Sequence, residues 1–275
     1  MTQAALLEQI KSKKSFLCVG LDVDQDRIPS DLKNEPDAIF TFCKRIIEAT
    51  APYCVAYKPN IAFFEAYGLE GWKSLEKVMN FLNHHYPEIF TIADAKRADI
   101  GNTSNRYAKA YYEQLEFDSI TIAPYMGRDS VEPFLEYVGK HAILLALTSN
   151  EGALDFQLLQ SGGKSLFEQV IEKSRNWQNA DRLMYVVGAT KAQALQKIRT
   201  LIPDSFLLIP GVGAQGGSLE EVSINGMNDQ CGLLVNSSRG IIYASSKSDF
   251  DQVAASVAKD LQQRMAFYLR QKEII

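Results

Sequence analysis

With 275 residues the chain has room for one large domain or two ordinary ones, and 46% hydrophobic with 23% charged residues excludes a disordered chain. The 29 Lys and Arg against 33 Asp and Glu give a net charge of −4, which leaves no basic field to hold nucleic acid or an anionic membrane. Four cysteines without a CxxC pair and three histidines without an HExxH helix offer no zinc constellation.

The amino-terminal stretch MTQAALLEQIKSKKSF lacks the unbroken apolar core of a signal peptide, and no run approaches the ~20 apolar residues of a membrane helix. A cytoplasmic location is expected, with Cys18, Cys43, Cys54 and Cys231 as buried free thiols in a reducing compartment. Eight short apolar runs rich in strand-forming residues then recur along the chain. They are FLCVGLD (16–22), VAYKPN (55–60), FTIADAK (90–96), SITIAPY (119–125), AILLALTS (142–149), LMYVVGA (183–189), SFLLIPG (205–211) and GLLVNSS (232–238). Their starts lie 39, 35, 29, 23, 41, 22 and 27 residues apart, room for a crossover helix in nearly every gap.

Continuous apolar runs, rather than strict alternation, predict parallel strands covered on both faces. In the last helical segment Val253, Val257, Leu261 and Met265 recur every four residues, which predicts an inward stripe on a helix covering the sheet. Eight βα repeats without a linker predict one (β/α)8 TIM barrel over residues 1–275, with an open doubly wound sheet as the alternative. The long fifth gap holds SNEGALDFQLLQSGGKS, a Gly-rich turn and an extra amphipathic piece, read either as an active-site cover or as a surface insertion.

A barrel of this kind places its active site at the carboxyl ends of the strands. There the ionisable groups are uneven: Asp22 ends the first strand, Lys58 lies on the second, Asp94 and Lys96 on the third with Asp99 just beyond, and Arg239 follows the eighth. Strand alternation puts Asp94 and Lys96 on one wall. A structural ion pair is the alternative for those two, a snorkelling side chain for Lys58, and a helix cap for Asp22. The loop PGVGAQGG, starting at Pro210, holds four glycines that let backbone amides approach an anion, and Arg239 adds a forked cation, so the two together predict a phosphate grip. Alternating lysines and aspartates with a phosphate grip suit proton transfer at carbon, an ammonium protonating a carbanion. They disfavour a Schiff-base lysine, whose neutral amine two nearby carboxylates would oppose.

GLD (20–22), YKPNIAFFEAYG (57–68), DAKRADIGNT (94–103), APYMGRDS (123–130), TSN (148–150), PGVGAQGG (210–217) and SRG (238–240) resemble, in order and nearly end to end, the motifs of the orotidine 5′-monophosphate decarboxylase family. The wording of the two longest strings is similar to the longer bacterial subgroup, type 2. The resemblance implies a homodimeric (β/α)8 barrel, without metal or organic cofactor, that converts orotidine 5′-monophosphate to UMP and CO2 in pyrimidine synthesis. It implies that Lys58, Asp94, Lys96 and, from the partner subunit, Asp99 surround the reacting carbon, with Lys96 as proton donor. By the same resemblance Ile100 and Thr103 would accompany Asp99 across the interface. The resemblance further implies that Asp22 and Lys58 hold ribose hydroxyls, that Ser149 or its neighbour Thr148 reads the pyrimidine, and that Pro210, Gln215 and Arg239 belong to the phosphate side. Two other readings stay open: a metal-dependent phosphosugar enzyme similar to hexulose-phosphate synthases, which share a DxKxxD string, and a non-catalytic phosphometabolite-binding protein.

Overall fold

All eight apolar runs form strands: β1 (Leu17–Leu21), β2 (Ala56–Pro59), β3 (Phe90–Arg97), β4 (Ser119–Ile122), β5 (His141–Leu147), β6 (Leu183–Val187), β7 (Leu207–Pro210) and β8 (Leu233–Ser237). The computed structural model describes residues 1–33, 35–212 and 216–275. The strands close into a barrel in the order β1–β8–β7–β6–β5–β4–β3–β2, so every strand neighbours its predecessor in sequence. Pairing is parallel, with Lys58 opposite Gly20, Ser119 opposite His141 and Tyr185 opposite Leu207. Every residue of β1, β2, β4 and β6 is buried, the pattern of strands covered on both faces. The runs overestimate strand ends where the backbone leaves the ladder. The fourth stops at Ile122, two residues before Pro124, which has no N–H to give.

The principal helices are α1 (Gln3–Lys13), α2 (Ala38–Thr50), α3 (Gly68–His85), α4 (Gly101–Lys109), α5 (Leu166–Ser174), α6 (Ala192–Leu201), α7 (Leu219–Gly226) and α8 (Phe250–Gln271). The chain divides into two compact units: Met1–Ala95 with Leu115–Phe117 and Asn236–Ile275, and Lys96–Gln114 with Asp118–Val235. In the first unit α8 packs on α2. Phe42 stacks on Phe250 with ring centroids 5.0 Å apart, and Arg45 Nε donates to Asp251 Oδ2 at 2.9 Å. The buried residues of α8 are Phe250, Ala254, Ala258, Met265, Ala266 and Leu269, so of the expected stripe Met265 is buried and the rest is corrected. Val253, Val257 and Leu261 are only half-buried. Counting in fours drifts about 40° per step at 3.6 residues per turn, and the small side chains of Ala254 and Ala258 take buried places on the helix. All four cysteines are buried and free, as expected.

In the second unit the fifth gap forms a short helix, Ala153–Phe156, and a two-stranded hairpin of Gln160–Ser161 with Lys164–Ser165. Gly162 and Gly163 turn the hairpin with φ of 62° and 78°, a left-handed pair that favours glycine. Ser165 then caps α5, its N–H donating to Glu168 Oε2 at 2.9 Å, and Lys197 of α6 ion-pairs with the same carboxylate. Burial opposes the charge on Glu168, but the hydrogen bonds from Lys197 and Ser165 outweigh it and hold the pKa at about 2. A depressed carboxylate contributes stability above its ordinary value of 4.5 and loses it as pH falls toward about 2. Urea unfolding at stepped pH should therefore show a steeper acid loss for the parent than for Glu168→Gln across that window. Equal slopes would contradict the assignment.

One half-buried residue gave no sign in the sequence. Arg199 donates to the carbonyls of Gly226 (2.5 Å), Ser205 (2.6 Å) and Gly232 (2.7 Å), satisfying backbone acceptors where α7 ends, where β7 begins and just before β8.

Candidate active site

At the end of β2 Lys58 is buried, its side chain 4% exposed, and its Nζ lies 2.6 Å from Asp94 Oδ2 of β3, a carboxylate only 11% exposed. A lysine so enclosed does not snorkel to water. Burial lowers the pKa of the ammonium, but the charges of Asp94 and Asp22 outweigh that and raise it above its ordinary value, so Lys58 stays charged. Asp22 Oδ1 is buried and has no hydrogen-bond partner among the described residues. The capping alternative for Asp22 fails as well, because Asp24 caps the next turn by accepting from Asp26 N–H at 3.0 Å.

A close approach in the same unit fixes what surrounds Asp22. A Cβ on Gly20 would lie 1.8 Å from Ser238 Oγ and 3.1 Å from Asn236 Oδ1, so only glycine fits there. Asn236 accepts from the Cys18 thiol at 3.6 Å and donates to Ser238 Oγ at 3.1 Å. Gly in a strand interior is a recognised sign of such an approach, and it was present in the sequence. Arg239 follows Ser238, opens the helical turn Arg239–Ile242 and is exposed.

Lys96 stands two residues after Asp94 and is exposed, but its φ of 48° is left-handed, uncommon for any residue with a Cβ and unexpected within a strand. Lys96 thus carries an irregular backbone inside β3, which runs on to Arg97. Its N–H donates to Thr121 Oγ1 of β4 at 2.9 Å, an anchor with no signal in the sequence. Strained backbone of this sort costs about 1–3 kcal/mol and concentrates at functional sites.

Beyond β3, the N–H of Asp99 donates to Ser104 Oγ at 3.0 Å and Asp99 Oδ1 accepts from Ile100 N–H at 2.7 Å. Ser104 therefore closes this turn, and Thr103, exposed, does not provide a capping hydroxyl. Ile100 stands at the N-cap of α4 and is 61% exposed.

After β5, Thr148 is engaged: its N–H donates to Gln157 Oε1 at 2.8 Å, and its hydroxyl donates to Asn150 Oδ1 at 2.6 Å and accepts from Gln157 Nε2 at 2.8 Å. Ser149 packs against Gly188, where a Cβ would come 2.3 Å from Ser149 Oγ. Gln157, in the long insertion, is a residue the sequence did not single out. Pro210 ends β7, and Gly217 N–H donates to Gly211 O at 3.2 Å. Gln215 lies outside the described residues.

The family profile described as "Orotidine 5'-phosphate decarboxylase / HUMPS family" matches residues 15–249. The chain belongs to this family. It is 63% identical over 266 residues to an orotidine 5′-phosphate decarboxylase of Christiangramia forsetii, covering 97% of this chain and 98% of that one. A Bacteroides fragilis protein of the same name is 56% identical over 271 residues, covering 98% and 99%. Among solved structures, the orotidine 5′-monophosphate (OMP) decarboxylase of Leishmania donovani superposes with a TM-score of 0.81 at 36% identity, covering 97% of this chain and all of that one. The near-complete coverage in both directions agrees with the end-to-end order of the motifs, and it sets the residues of DAKRADIGNT and YKPNIAFFEAYG inside a family of decarboxylases.

Proposed function

We propose that the chain decarboxylates OMP to UMP and CO2 in pyrimidine biosynthesis, through a C6 carbanion that Lys96 protonates, without a metal or organic cofactor. The observation that carries the assignment of roles is the buried Lys58–Asp94 pair at 2.6 Å, immediately before a lysine in left-handed backbone, in a chain of this family. The C6–carboxyl bond breaks with its electron pair left on C6, CO2 departs, and the Lys96 ammonium gives its proton to that pair. Solvent then reprotonates the amine. Preorganised charge aimed at developing charge is the largest catalytic contribution. Asp94, kept ionised beside Lys58, faces the substrate carboxylate, and two like charges ~4 Å apart at an effective dielectric of ~20 repel by about 4 kcal/mol.

Asp22 and Lys58 hold the ribose hydroxyls, the unpartnered Asp22 Oδ1 being an acceptor in need of a donor. Ser149, rather than Thr148, reads the pyrimidine, since the Thr148 hydroxyl is already committed to Asn150 and Gln157. Pro210, Gln215 and Arg239 grip the phosphate, and the Ala153–Ser165 insertion covers the nucleotide. Residues 1–275 act as one catalytic domain. No helix among the described residues is long and apolar enough to cross a membrane, and the reading places the enzyme in the cytoplasm.

A homodimer supplies Asp99, Ile100 and Thr103 to the neighbouring site. Support comes from the segments after β3, β4 and β5, which leave Ile100 (61%), Tyr125 (86%) and Phe156 (60%) exposed, an apolar surface of the kind that subunit contacts cover.

Release of labelled CO2 from carboxyl-labelled OMP tests the reaction; nucleotide binding without CO2 would reject it. Arg239→Ala should lower kcat/KM about 10³-fold, as expected when binding energy from a remote phosphate is used to align reacting groups. Steady-state kinetics within threefold of the parent would remove Arg239 from the phosphate site.

A further inference from the structure

The segment that carries Asp22 is held by hydroxyls of two tyrosines that the mechanism does not use. Tyr243 Oη accepts from Asp24 N–H at 2.6 Å and donates to the Asp22 carbonyl at 3.2 Å. Tyr67 Oη, from the string YKPNIAFFEAYG, accepts from Gln25 N–H at 2.9 Å. The Tyr243 ring is itself fixed on both sides, stacked on Phe42 at 5.6 Å and covered by the Arg27 guanidinium 4.1 Å from its centroid. Its N–H donates to the carbonyl of Arg239 at 3.2 Å. One residue thus touches the backbone of the β1 segment and the backbone of the turn that Arg239 opens.

Asp22 Oδ1 has no protein partner among the described residues. A carboxylate without a side-chain tether takes its aim from its backbone, and the backbone carbonyl of Asp22 rests on the Tyr243 hydroxyl. We infer that Tyr243 is a positioning residue for ribose recognition: through its hydroxyl it sets the Asp22 carboxylate against the sugar hydroxyls and keeps that segment in register with Arg239. This rests on the decarboxylase reading only for the identity of the nucleotide.

The test is calorimetric titration of UMP and 2′,3′-dideoxyuridine 5′-monophosphate into the parent, Tyr243→Phe, Asp22→Ala and the double variant, with thermal unfolding of each as a control. Loss of one hydrogen bond that aims a charged group is worth about tenfold in affinity. Tyr243→Phe should therefore bind UMP about tenfold more weakly and bind the dideoxy nucleotide as the parent does, and adding it to Asp22→Ala should weaken UMP binding no further. A purely structural tyrosine predicts equal losses for both nucleotides and multiplying losses in the double variant, and either result would overturn the proposal. So would a parent that binds the two nucleotides equally. Because the readout is binding, a parent that binds UMP but releases no CO2 from OMP would reject the decarboxylase reading while leaving the Tyr243 comparison decisive.

Discussion

Lys96→Ala should lower kcat for OMP decarboxylation about 10⁵-fold and change UMP affinity by less than tenfold. A positioned general acid contributes about 10²–10⁴, and a fixed charge facing a developing one contributes about 10²–10³ more. The two are not fully additive, since one ammonium supplies both. Lys96→Arg separates them: the guanidinium keeps the charge but does not give up its proton near neutral pH, so its activity should remain within about tenfold of the alanine variant. The left-handed backbone at Lys96 makes the comparison cleaner, because alanine meets the same backbone strain as lysine and stability should be nearly unchanged. Steady-state kinetics on the three proteins decide the matter. A kcat for Lys96→Ala within tenfold of the parent would remove Lys96 as proton donor.

Lys58→Ala should cost about 3–5 kcal/mol of unfolding free energy, because it leaves the Asp94 carboxylate buried without its partner. Activity should fall by more than 10³-fold at the same time, since Lys58 pairs with Asp94 and, on the proposed reading, holds the ribose. The double variant Lys58→Met, Asp94→Asn should recover most of the stability, as neutral replacement of a buried pair commonly does, and recover no activity. Urea unfolding together with kcat/KM measures both sides. Full stability in Lys58→Ala would mean that Asp94 finds water or another cation when Lys58 is gone.

The barrel was legible because apolar runs of six to eight residues, spaced for crossover helices, state both strand identity and two-sided burial. The candidate site residues stood out through strand ends and motif strings. What the sequence withheld is whatever depends on a single residue's backbone or on a contact between distant segments. Period-two reasoning put Asp94 and Lys96 on one wall but gave no sign of the left-handed backbone at Lys96 or of the 2.6 Å contact of Asp94 with Lys58, 36 residues away. The stripe on α8 was misplaced by one residue because alanines, small enough to be buried at a close helix contact, carry little hydrophobic signal. Gln157, Thr121 and Tyr243 act through hydrogen bonds to backbone and hydroxyl groups that no spacing rule marks. Gly20 is the exception: its place inside a strand already signalled close packing, and Ser238 fills that space.

The central claim is metal-free decarboxylation of OMP, and the loss of OMP absorbance catalysed by the purified chain, followed with and without excess EDTA, tests it most directly. Rapid conversion to UMP at the same rate in both conditions is the predicted result. Conversion abolished by EDTA and restored by a divalent metal, or nucleotide bound without any conversion, would contradict it.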